Sequence, residues 1–318
     1  MFKNYLILGI SILSFIFPAI HAEATLTINV LQYNMKYGKP GQLCCHQAQG
    51  NQQGLIGAVL SDNEVDLACL VECQSAKDDK SCLEWSFSGY DFQCHTCPGT
   101  TSGYNEALTL IYNTNKYTFK TLWSPTPPNQ GCCAAQQLGR GFMAIALTER
   151  DSQANVIFIG IHPDHGSHDA LLDQIEAAIQ DLGGNASQVI LAGDINYQGG
   201  KSSFQDNSND FKDALSKKTG TTWSNISNLI QCGTNDSNYS NAETYDNVFI
   251  NQKASIVCEI PTQYVYQTDP NHYSPTGASY SQGENGVYSK LEGIEHLGDS
   301  RSEEHIPLLA TITLTSSD

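Results

Sequence analysis

Val189-Ile190-Leu191-Ala192-Gly193-Asp194-Ile195-Asn196 begins as a short apolar run with β-branched residues and ends on a carboxylate and a carboxamide. Runs of this kind, bounded by polar and Gly-rich sequence, read as β-strands. One ligand-type side chain at a strand end means little, but this chain repeats the pattern. Asn34 follows the run 26–33, Glu72 follows 65–71, His162 ends 156–161, Asp246 sits inside 245–250, and Glu304 and His305 precede 308–314. With Asp194 and Asn196 these make eight strand-associated positions of one chemical character. They point to carboxylates, carboxamides and imidazoles converging on a common edge, as a hydrolytic metal site requires.

Further apolar runs stand at 107–112 and 142–147. Helical periodicity is read at 53–61, at 168–181 (Leu171, Leu172, Ile175, Ala178, Ile179) and, more weakly, at 209–217. Strands recur along the whole length while helices are few, and no linker composition divides the chain. The expectation is one strand-dominated α/β domain with helices on the outside. The stretch 261–300, rich in Tyr, Ser, Gly and Asn, reads as a long ordered loop of the kind that often sits over a site.

The 318 residues suffice for a buried core, and 40% hydrophobic with only 15% charged residues argues against intrinsic disorder. The 16 Lys+Arg face 33 Asp+Glu, a formal net charge of -17. That balance disfavours a protein that grips nucleic acid by a basic surface. It leaves open an enzyme that meets phosphates through a bound cation, for which acidic residues are the ligands.

Residues 1–22 carry Lys3, an apolar run at 5–17, Pro18 and the small-residue end His21-Ala22-Glu23-Ala24. This is the layout of a secretory signal peptide, cleaved after Ala22 or Ala24. The apolar run is shorter than the roughly 20 residues a membrane-spanning helix needs. The mature domain is therefore expected at 23–318, secreted or periplasmic, without stable membrane insertion. In an oxidising compartment the 11 cysteines are expected as disulfide partners rather than zinc ligands. Their odd number leaves at least one thiol free, buried or intermolecular. Nine of them lie between 44 and 133, so that half is expected to hold loop-rich insertions stapled to the core.

The series Gln32-Tyr33-Asn34-Met35, Leu70-Val71-Glu72, Gly193-Asp194-Ile195-Asn196, Tyr245-Asp246-Asn247-Val248 and Ser302-Glu303-Glu304-His305-Ile306-Pro307 resembles the endonuclease/exonuclease/phosphatase superfamily over essentially residues 27–315. Within it, Tyr104-Asn105-Glu106 before the strand at 107–112, Arg140 before the strand at 142–147, and Ile161-His162-Pro163-Asp164-His165-Gly166 ahead of a helix are similar to the deoxyribonuclease I-like branch.

The resemblance implies an α/β fold of two packed, mainly antiparallel β-sheets flanked by helices, a four-layer sandwich with the site at one end. It implies a phosphodiesterase acting on nucleic acid through activated water. Glu72, assisted by Asn34, would bind a divalent cation, Mg²⁺ first and Mn²⁺ or Ca²⁺ as alternatives, and Glu304 would join the metal ligands. His305 oriented by Asp246, and His162 oriented by Glu106, would be the two histidine–carboxylate pairs. A neutral imidazole must take a proton near pH 7, and a carboxylate fixes its tautomer and stabilises the imidazolium. Asp194 and Asn196 would position the nucleophile and the scissile phosphate, with Arg140 and Tyr104 on phosphate oxygens, where charge develops in the transition state.

The chain departs from the family at two places. Glu304 stands where Asp is usual, and Gln74 stands where deoxyribonuclease I-like enzymes often place an Arg that enters the DNA minor groove. The second departure weakens the case for duplex DNA and keeps a phospholipid headgroup, such as sphingomyelin or a phosphoinositide, as an alternative substrate. A secreted binding protein that kept the fold is a further alternative, disfavoured because a binding module has no need of two histidines and Glu72. His162-x-Asp164-His165 echoes a metallo-β-lactamase signature, but Gly160 occupies the place of its first histidine.

Overall fold

A computed structural model of the chain describes residues 27–34, 57, 59–71, 86–98, 105–123, 141–163, 168–184, 187–196, 204–227, 246–259, 280–282, 288–291 and 308–314. Residues 1–22, expected as a signal peptide, and the segments 39–52 and, for the most part, 73–100, expected as insertions, lie outside them. The strands are β1 (Thr27–Asn34), β2 (Leu67–Val71), β3 (Tyr90–Pro98), β4 (Asn105–Asn113), β5 (Tyr117–Leu122), β6 (Phe142–Glu149), β7 (Asn155–Ile161), β8 (Gln188–Asp194), β9 (Ser224–Asn225), β10 (Asp246–Ile250), β11 (Ala254–Glu259), β12 (Tyr280–Gln282), β13 (Tyr288–Leu291) and β14 (Leu308–Leu314). Two longer helices are α1 (His168–Leu182) and α2 (Phe204–Thr219), and residues 59–62 form a helical turn.

Two six-stranded sheets carry the fold, in the orders β11-β14-β1-β2-β4-β3 and β5-β6-β7-β8-β10-β9. The orders correspond strand for strand. Each sheet is antiparallel except for one parallel pair, β1/β2 and β7/β8, and the β7/β8 crossover runs through α1. In open sheets, ligands gather outside the carboxyl ends of parallel strands. Asn34 and Asp194 close β1 and β8, and His162 directly follows β7.

Strict alternation explains how the layers form. Ile28 and Val30 of β1, Val156 and Phe158 of β7, Ile190 and Ala192 of β8, and Val248 and Ile250 of β10 all join the core between the sheets. The intervening residues face outward: Ile157, Ile159, Val189, Leu191 and Phe249 meet Leu171, Ile175 and Ile179 of α1 and Phe211 and Leu215 of α2. Leu31, Tyr33, Ala68 and Leu70 meet Val59, Leu60 and Phe87 on the other outer face. A period of two in the strands and of 3.6 in α1 thus specify the same layers.

Gly160 lets the sheets approach closely. A Cβ there would lie 2.7 Å from Leu108 Cδ2 and from Leu110 Cδ2. The position faces the packed interior, so no histidine fits it, which removes the metallo-β-lactamase reading.

The strands with continuous apolar runs agree with the sequence reading to within a few residues. Strands β3, β5, β9 and β11 were not legible in it. In β5 only Tyr117 is buried, and β11 buries only Ile256 and Cys258 deeply. Edge strands face water on one side and lack the apolar signature. Within 261–300, expected as loop, β12 and β13 pair as a two-stranded antiparallel sheet, and the remainder lies outside the described residues.

Candidate active site

Along the inner faces the apolar rows turn polar toward one end of the sandwich. On β1 the row Ile28, Val30 continues as Gln32, Asn34; on β7 the row Val156, Phe158, Gly160 continues as His162; β8 adds Asp194 and β10 adds Asp246. All of these polar residues are buried. A buried carboxylate is tolerated only when donors or opposite charge surround it.

Asp194 is the hub. Its Oδ2 accepts the Asn34 amide at 2.9 Å, across the gap between the sheets. The same oxygen lies 3.6 Å from His162 Nε2, beyond hydrogen-bond length but within ion-pair range once the imidazole is protonated. Its Oδ1 accepts the backbone N–H of Asn196 at 3.2 Å. Asn196 itself adopts a left-handed backbone, φ 44°, which Asn tolerates better than most residues. Its side-chain amide donates to Pro163 O at 2.9 Å and so pins the chain just after His162.

Asp246 sits directly opposite Asp194 on the neighbouring antiparallel strand. Its Oδ1 accepts Gln32 Nε2 at 3.0 Å, a second bond between the sheets. The amide oxygen of Gln32 is buried and has no hydrogen-bond partner among the described residues. Asn247, on the outer side of β10, donates to Ser208 of α2 and ties that helix behind Asp246. Gly193 sets the height of the hub. A Cβ there would fall 2.0 Å from the carbonyl oxygen of Ile161, so only glycine lets β8 run this close to β7 beside His162.

Structure searches return sandwiches of this kind. An endonuclease/exonuclease/phosphatase family protein from Bacteroides thetaiotaomicron superposes with TM-score 0.57 at 14% identity, over 92% of this chain and 99% of that one. The endonuclease/exonuclease/phosphatase from Bacteroides vulgatus gives 0.56 at 13%, over 91% and 100%. The chain has the endonuclease/exonuclease/phosphatase fold. A third protein of similar architecture, a mannosyl-6-phosphatase from Bacteroides thetaiotaomicron, gives 0.55 at 16%, over 90% and 100%. No protein-family model and no curated protein sequence matches the chain. At these identities the likeness is one of fold.

Within that fold, the structure brings Asn34, His162, Asp194, Asn196 and Asp246 to one end of the sandwich. Glu106 lies in β4, its backbone paired with Cys97. Glu72, Tyr104, Arg140, Glu304 and His305 lie outside the described residues. The Glu106 side chain, expected to orient His162, lies outside the described ones; among the described side chains Asp194 carries a carboxylate beside His162. Gln32 is the site residue that the sequence reading missed. Its signal was parity, since it stands two positions before Asn34 and so shares its face.

The segment 164–167 lies outside the described residues. Asp169, exposed in the first turn of α1, is placed where a carboxylate complements the helix dipole.

Proposed function

We propose that this chain is an exported, divalent-cation-dependent phosphoester hydrolase whose first substrate class is the phosphodiester of nucleic acid, in the manner of the deoxyribonuclease I-like branch. The observation that carries the reading is the Asp194 carboxylate, shared by the Asn34 amide and the His162 imidazole at the carboxyl ends of the parallel strands.

The donor chemistry fits a hard cation. Asp194 and Asp246 are buried carboxylates directly opposite each other, an arrangement that repels unless positive charge lies close. Asn34 and Gln32 add amide groups beside them, and oxygen ligands suit Mg²⁺, Mn²⁺ or Ca²⁺ better than a soft metal. Glu72, Asn34 and Glu304 would hold the cation, which when bound polarises a phosphoryl oxygen and lowers the pKa of water. The chain's own groups do the rest. Asp194 stabilises a protonated His162, which then donates to a phosphate oxygen. Asp246 orients His305 as the base for water. Asn196 fixes the turn on which His162 stands.

Export is supported by the N-terminal segment 1–22 and by the thiols. Cys94 and Cys258 are each disulfide-bonded. Cys69 is buried in the core, where its thiol donates to Ala192 O at 3.4 Å. Disulfides persist in oxidising compartments.

A second reading, a sugar or lipid-headgroup phosphoester, is favoured by the fold neighbour named a mannosyl-6-phosphatase, by the acidic surface and by Gln74. One experiment separates the readings: purified mature protein is given supercoiled plasmid DNA, sphingomyelin vesicles or mannose 6-phosphate, each with Mg²⁺ and with chelator. Nicking of the plasmid only with Mg²⁺ is expected. Turnover of the other substrates alone would move the proposal to the second reading, and turnover of none would overturn both.

A further inference from the structure

We infer that Gln32 is a positioning residue of this site, fixing the carboxylate plane of Asp246 and acting on the reaction only through it. The inference rests on the reading above, in which Asp246 orients His305.

Gln32 occupies a core position. It lies on the inner face of β1 directly above Val30 and is 0% exposed. The two inner positions before it, Ile28 and Val30, are aliphatic, and an aliphatic side chain would leave no polar atom unmet. Gln32 does leave one: its Oε1 is buried and has no hydrogen-bond partner among the described residues. Burying an unmet acceptor is destabilising, so packing alone does not account for a glutamine here.

Its other end has a defined task. Nε2 donates to Asp246 Oδ1 at 3.0 Å, from one sheet to the other. Turned over, the amide would set Oε1 against the carboxylate, acceptor against acceptor, so a single orientation is allowed. A carboxylate rotates easily about its last torsion. One fixed N–H on Oδ1 sets its plane and leaves Oδ2 to face another donor. Asn34 does the same to Asp194 two residues further along β1. Strand β1 therefore presents two carboxamides on one face to two carboxylates that stand opposite each other on β8 and β10.

The test uses the full mature protein with Mg²⁺ and bis(4-nitrophenyl) phosphate as a general phosphodiester, following kcat, KM and melting temperature. Gln32→Met keeps length and shape but removes the donor; Gln32→Asn keeps an amide but draws it back by one methylene. Both are expected to lower kcat about 10- to 100-fold with KM little changed, the size of effect that a misplaced catalytic group produces. Gln32→Met removes the unmet acceptor and also the donor to the buried Asp246 carboxylate, two opposing effects, so its melting temperature should stay within a few degrees of the parent value. In an Asp246→Asn background, Gln32→Met should add little further loss, since both changes act through one carboxylate. A parent-like kcat, a loss that multiplies fully with that of Asp246→Asn, or a melting temperature that falls in step with kcat overturns the proposal. Parent-like activity in Asp246→Asn and His305→Ala would instead be a failure of the underlying reading, and the role of Gln32 would fall with it.

Discussion

The Asn34 amide and the Asp194 carboxylate, 160 residues apart in sequence, meet at 2.9 Å between two sheets. Both are almost wholly buried, so the bond joins the sheets at the same point where it prepares the site. Asn34→Ala removes one donor from a buried carboxylate, which costs about 1–3 kcal/mol. Urea unfolding should show a loss of that size. Asn34→Asp should lose more, because it opposes two like charges.

Asp194→Asn keeps the shape of the hub and removes its charge. The protonated form of His162 then loses its neighbour, and the predicted fall in kcat is roughly 10²- to 10⁴-fold, the range for a disabled acid–base group. Circular dichroism should remain that of the parent. Initial rates on plasmid DNA with Mg²⁺ check the prediction, and a loss under tenfold would show that Asp194 is only structural.

Gly193→Ala tests the backbone that carries the hub. With the carbonyl of Ile161 at 2.0 Å from the new Cβ, β7 and β8 must separate, and backbone cannot yield as a flexible side chain would. The expected cost is at least about 3 kcal/mol, the upper part of the overpacking range, read as a lowered urea midpoint. Activity should fall with it, since His162 and Asp194 stand on the two strands that move apart.

Asp66 predicts a pH dependence unconnected with the site. It precedes β2, is buried, and accepts the backbone N–H of Asn29 at 2.9 Å with Lys116 Nζ at 2.6 Å. Burial outweighs these partners and holds its carboxyl above the ordinary carboxylate range. The folded state therefore binds this proton more tightly than the unfolded chain. Its contribution is fullest below the unfolded value, near about 4, and is lost as pH rises through the higher folded value. Asp66→Asn abolishes that loss, so its stability relative to the parent should increase from acid toward neutral pH in paired urea titrations. A constant difference across that range would contradict the assignment.

The sequence made the central strands legible because they are covered on both faces and read as continuous apolar runs, as in 189–192 and 142–147. The edge strands were not legible, since in β11 only Ile256 and Cys258 turn deeply inward. Asn34, Asp194 and Asp246 could be found because each interrupts or ends such a run. Gln32 was missed, because parity marks only the face it shares with Asn34 while its partner lies 214 residues away. The contact of His162 with Asp194 was equally hidden, since adjacency of β7 and β8 follows from sheet order rather than from spacing.

In the proposed reaction a bound cation and the His162–Asp194 end of the sandwich together hydrolyse a phosphodiester. The most direct measurement is the initial rate of plasmid nicking by the mature protein with Mg²⁺, after chelation and after Mg²⁺ is restored, beside His162→Ala. Nicking that chelation abolishes and Mg²⁺ restores is expected, lowered at least ~100-fold in His162→Ala. Nicking that survives chelation, or a His162→Ala protein as fast as the parent, would contradict it.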